Sequence, residues 1–171
     1  MHCPTRTRGL GLVHAIPGHA VLLSEILKPE QVVMPVAARD KPGVIAELTR
    51  HLTERLGGDY AGVLEAVKER EAGGSTGIGF GVAIPHARSP GVSELSLVCG
   101  VSRSPVPYDS IDGEPVRLFF LIVAPTGSAG QHIRVLSRIA TLVRRESVRK
   151  RLFEAGTPDE FYNILLDAEA C

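Results

Sequence analysis

Apolar positions along this chain recur at two periods, and the switches between them divide it into elements. Val44, Ile45, Leu48, Leu52 and Leu56 return every three or four positions, the spacing of one buried helical face. Ahead of them Asp40-Lys41-Pro42 offers a capping carboxylate and a proline suited to a first turn, and Gly57-Gly58 ends the run. Asp59 is placed to cap a second helix with Val63, Leu64 and Val67 inward, which runs through Lys68-Glu69-Arg70-Glu71 until Gly73-Gly74 breaks it. Shorter apolar runs read as strands: Gln31 to Val36, Val82-Ala83-Ile84, Leu95 to Val101, and Val116 to Ala124, whose continuous apolar character fits a central strand covered on both faces. Pro85 is expected to stop the second of these and leave His86 at its rim.

Ser102 to Pro115 is turn-rich, and Tyr108 to Glu114 within it reads as a hairpin connection. Val21 to Leu27 is a short apolar element, possible as one helical turn, that opens the domain proper. Ser128-Ala129-Gly130-Gln131 has the spacing of a capping box and predicts a long helix with Leu136, Ile139, Ala140 and Val143 as its stripe. His132 falls on that same face in the first turn. Thr157-Pro158-Asp159-Glu160 starts a last helix that buries Phe161, Ile164, Leu165 and Ala168. Strands alternating with amphipathic helices give an α/β fold with a mixed β-sheet flanked by helices.

Composition narrows the partners. The 171 residues suit one domain, taken as residues 21–171 behind an amino-terminal extension of residues 1–20. The 19 basic and 19 acidic side chains cancel, which argues against a nucleic-acid partner, and the basic segment from Arg144 to Arg151 reads as a solvated helical face. No stretch is apolar for the length of a membrane span, and the apolar part of Met1 to Ala20 is too short and too broken by His14, Pro17 and His19 for a signal peptide. Cys3, Cys99 and Cys171 lie far apart and are expected to be reduced thiols of a cytoplasmic protein.

Candidate chemistry gathers between Gly73 and Arg88. Gly77-x-Gly79-x-Gly81 has the wrong spacing for a dinucleotide fingerprint and leads into a strand, and no phosphate-binding G-x-x-x-x-G-K-[ST] occurs. His86 and His132 are two ligands where zinc needs at least three, so neither a metal nor another cofactor is expected. His86 as a nucleophile toward a phosphoryl group fits better, because a neutral imidazole attacks well near neutrality and a phosphohistidine passes its group onward. Main-chain N–H groups of the glycine-rich turns, the hydroxyls of Ser75 and Thr76, the Arg70 guanidinium and the His132 imidazole would supply donors to its oxygens. Taken singly, Arg70 also fits a solvated helix-end arginine, His132 a satisfied core histidine, and Ser75 and Thr76 residues that close a turn.

Arg70-Glu71, Ser75-Thr76-Gly77-Ile78-Gly79 and Val82-Ala83-Ile84-Pro85-His86-Ala87 resemble the phosphohistidine signature of the mannitol/fructose class (type 2) of enzyme IIA domains in the bacterial phosphotransferase system. Ser128 to His132 resembles the same family's second histidine, and the likeness extends from about Val21 to Ala168. The resemblance implies that His86 is phosphorylated, that Arg70 and His132 support the phosphate, and that the donor is a small HPr-like phosphohistidine carrier charged from phosphoenolpyruvate. A IIB domain or a regulated target protein would be the acceptor or partner. The form of Gly74 to Gly79 leans toward the nitrogen-regulatory branch. The alternatives are a soluble fructose- or mannitol-type transport subunit that donates to a separate IIB, and a non-catalytic interaction module of the same fold.

Overall fold

The computed structural model describes residues 21–170; residues 1–20 and Cys171, with the expected extension and two of the three cysteines, lie outside the described residues. Helix α1 (Leu23–Ile26) and a turn of 3-10 helix (Pro29–Gln31) lead into β1 (Val32–Val33). Helices α2 (Lys41–Leu56) and α3 (Tyr60–Ala72) follow, then the short strands β2 (Gly77–Gly79), β3 (Val82–Ala83) and β4 (His86–Arg88). The long hairpin β5 (Ser96–Val106) and β6 (Val116–Ala124) precedes α4 (Ala129–Arg144), α5 (Glu146–Glu154) and α6 (Pro158–Ala170).

The six described strands form one mixed sheet in the order β1-β5-β6-β3-β2, with β4 also on β6. β5 and β6 are antiparallel, while β1 lies parallel to β5, and β3 and β4 parallel to β6. The residues of β6 alternate between two cores. Leu118, Phe120 and Ile122 pack with Val135, Ile139, Leu152 and Phe161 of α4 to α6. Phe119, Leu121 and Val123 pack with Val44, Leu48, Val63 and Val67 of α2 and α3. A strand buried on both faces must read as a continuous apolar run, and the run from Leu118 to Val123 is that signature.

Several expectations shift by a few residues. Only Val32 and Val33 of the Gln31 to Val36 run form strand, because Pro35 has no N–H for a ladder; Val36 still donates to the Val101 carbonyl at 2.8 Å. Strand β5 continues into the segment read as turn, closing on the Val106–Val116 pair after a register shift beyond Val101. Leu56, expected on the α2 stripe, is exposed at the helix end. Asp40 and Asp59 cap as expected, accepting from the N–H of Gly43 at 2.7 Å and of Gly62 at 3.2 Å. The Ser128 side chain makes no cap bond, since its backbone is not in the extended conformation a capping box needs.

Candidate active site

Pro85 interrupts the strand without ending it. Val82 pairs with Leu118 and His86 with Ile122, so β3 and β4 keep one register on β6 across the gap. Ile122 N–H donates to the Pro85 carbonyl at 3.0 Å. His86 therefore belongs to the sheet, where the expected strand end would have left it at a rim.

Its ring is fixed from both sides. Nδ1 donates to the carbonyl of Ile84 at 2.8 Å, which leaves the lone pair of a neutral ring on Nε2. Arg70 Nε donates to that Nε2 at 3.2 Å, while Arg70 Nη1 donates to the Gly74 carbonyl at 3.0 Å. Burial lowers the His86 pKa below the ordinary histidine value; the Ile84 bond works against this and the Arg70 charge adds to it. The ring is thus held toward its neutral form.

His132 comes from the first turn of α4 and meets His86 edge to face, with centroids 5.2 Å apart and planes at 65°. It is buried, and its Nε2 has no hydrogen-bond partner among the described residues. Burial first, then the neighbouring charges of His86 and Arg88, bring its pKa down to about 4. An open cavity of about 830 Å³ joins these groups, lined by Arg70, His86, Arg88 and His132 and bordered by Thr126 and the exposed Ile133. The structure brings together His86, His132 and Arg70 from three elements: a sheet strand and one helix on each face.

Ser75 and Thr76 are spent elsewhere. Ser75 Oγ donates to the Tyr108 carbonyl at 2.9 Å and accepts from Gly77 N–H at 3.1 Å. Thr76 is buried, its hydroxyl donating to Glu71 at 2.5 Å and lying 3.1 Å from the Tyr108 hydroxyl. Several N–H groups of the glycine-rich stretch are likewise engaged within the fold. Gly77 admits the close approach of Ser110, and Gly79 and Gly81, at φ of 94° and 75°, turn the β2–β3 hairpin. Gly77 N–H is bonded to Ser75 Oγ, and Phe80 N–H, between the other two glycines, to Asp112 at 3.0 Å.

Three residues around the site carry no role in the sequence reading: Lys41, Tyr108 and Arg88. A signal for the first was present, because Glu71 follows Val63 and Val67 at four-residue steps and puts a carboxylate on a buried stripe, where it requires a cation. Lys41 Nζ supplies it at 2.7 Å.

The mixed sheet thus brings an imidazole pair and a guanidinium together at one end, an arrangement compatible with phosphate chemistry on histidine. Residues 25–168 match the family described as "Phosphoenolpyruvate-dependent sugar phosphotransferase system, EIIA 2", and the chain belongs to this family of phosphotransferase domains, which carry phosphoryl groups on histidine. It is 37% identical over 145 residues to the "PTS system fructose-specific EIIABC component" of Bacillus subtilis, covering 84% of this chain but only 23% of that protein. It is 31% identical over 143 residues to the "Nitrogen regulatory protein" of Bradyrhizobium diazoefficiens, covering 84% of this chain and 94% of that one. The crystal structure of nitrogen regulatory protein IIA-Ntr from Neisseria meningitidis superposes with a TM-score of 0.79 at 34% identity, covering 84% of this chain and 98% of that one.

Proposed function

We propose that this chain accepts a phosphoryl group on His86 Nε2 from the phosphohistidine of an HPr-like carrier, with Arg70 and His132 holding the group. The observation that carries this reading is the Nδ1 bond to Ile84, which commits one ring nitrogen and aims the other's lone pair into the cavity between Arg70 and His132. The lone pair of Nε2 forms the new N–P bond as the donor's N–P bond breaks, and the donor imidazole departs with that electron pair. No proton leaves His86: Nδ1 keeps its own on the Ile84 carbonyl, and the ring takes up positive charge. Arg70 turns from Nε2 to a phosphoryl oxygen, and His132, with its proton on Nε2, donates to another. Ser75 and Thr76 stay outside this cradle because their hydroxyls are occupied.

The regulatory branch is the favoured role, supported by the likeness to nitrogen regulatory protein IIA-Ntr of Neisseria meningitidis at 34% identity and a TM-score of 0.79. No helix among the described residues is long and apolar enough to cross a membrane, in keeping with a protein that works in the cytoplasm. The test is transfer of label from phosphoenolpyruvate through enzyme I and the carrier. Wild type becomes labelled and His86→Ala does not; label on the variant, or none on the wild type with a competent donor, overturns the reading. Adding a fructose-class IIB domain separates the roles, since rapid loss of label to it indicates sugar transport and retention indicates regulation.

A further inference from the structure

Below the catalytic surface lies a second polar cluster that the phosphate reading does not use. Glu71, buried on the inner face of α3, receives the Lys41 ammonium at 2.7 Å, the Thr76 N–H at 2.9 Å and the Thr76 hydroxyl at 2.5 Å. The Tyr108 hydroxyl, 3.1 Å from Thr76 Oγ1, closes the cluster, and Lys41 Nζ lies over the Tyr108 ring at 4.7 Å. A carboxylate that accepts this many bonds locks the groups around it, because moving any one leaves a buried charge short of a partner.

Two lines run from the cluster to His86. Along the first, the Thr76 carbonyl accepts from Ile84 N–H at 3.0 Å, and the Ile84 carbonyl in turn accepts from His86 Nδ1 at 2.8 Å. Along the second, Glu71 is the residue next to Arg70 in the last turn of α3, and Arg70 Nε reaches His86 Nε2. We propose that Glu71, held by Lys41 and Thr76, is the positioning residue of this site: it fixes the Ile84 carbonyl that selects the His86 tautomer and the helix end that carries Arg70. A sheet alone does not require such a charge here, since Val63 and Val67 fill the same stripe with apolar groups. This role rests on His86 being the phosphorylated residue.

The test uses the full chain with ¹⁵N-labelled histidine. In the wild type the His86 ring shows a protonated Nδ1 and a bare Nε2. Glu71→Gln brings in the other tautomer and slows phosphoryl transfer on the order of ten- to a hundredfold, the scale of a misplaced reacting group. Lys41→Met gives the same two changes and Lys41→Arg restores both. If Glu71→Gln fails to fold, Thr76→Val decides, because it removes one hydroxyl and leaves the backbone bonds. A folded Glu71→Gln or Thr76→Val protein with wild-type ring signals and wild-type rate overturns the proposal. The tautomer is read without any donor present, so label persisting on His86→Ala would sink the phosphorylation reading while the ring signals still report on Glu71.

Discussion

His132 shows how much a single side chain's surroundings decide. Folding removes its ring from water and sets it against His86, so the unfolded chain takes up a proton near pH 6.5 that the folded chain resists down to about 4. The folded-state pKa is depressed, so this contribution to stability is complete above the unfolded value and is lost as pH falls through that window. His86, also lowered, adds a contribution of the same sign. His132→Gln, which does not titrate, is therefore expected to lose less stability than wild type between about pH 7 and about pH 5, by at most about 2 kcal/mol, measured by urea unfolding at both. His132→Ala slows transfer on the order of a hundredfold, as loss of one preorganised donor does, while the variant remains folded. Unfolding of His132→Ala, with normal transfer by whatever folded protein remains, would return His132 to a structural role. The pairing of these histidines was legible in the sequence through the stripe of α4 and the signature around His86. The engagement of Ser75 and Thr76 was not, because Tyr108, which both of them meet, is 33 and 32 residues away; the Thr76 contact to Glu71 spans only five residues but depends on how the chain turns after α3.

At the scale of elements, periodicity and caps located every helix from α2 onward except the break between α4 and α5, where Arg145 leaves the helical conformation and serves both ends. The same capping pattern has two outcomes along this chain. Asp40 and Asp59 accept from backbone N–H groups, whereas Ser128 has the right spacing and no bond. Asp40→Ala is thus expected to cost about 1 kcal/mol, and Ser128→Ala to stay within about 0.5 kcal/mol of wild type. Thermal unfolding of the two variants checks this, and equal losses would contradict the assignment. Strands were harder to bound: β3 and β4 together hold five residues, too few for a periodic signal, and Pro85 sits in a gap that only the partner strand bridges.

Across the whole molecule the site exists because three layers end at the same place. α3 brings Arg70 from one face of the sheet, α4 brings His132 from the other, and β4 holds His86 between them on β6. Strand order and the convergence of the layers lie beyond sequence patterning, since periodicity identifies which residues are buried but not which faces meet. The layering also separates stability from chemistry. Gly100 in β5 lies under α2, and a Cβ there would meet Val36 Cγ2 at 2.7 Å and Leu48 Cδ2 at 2.9 Å, both in the core on the α2 and α3 side. Gly100→Ala pushes these two side chains aside and is expected to destabilise the protein by about 1–3 kcal/mol, the usual cost of overpacking. Its transfer rate per folded molecule, followed by labelling well below the unfolding midpoint, is expected to equal that of wild type, because Arg70, His86 and His132 hang from α3, β4 and α4. A rate that fell in step with stability would mean that α2 positions the site through more than the Lys41 contact to Glu71.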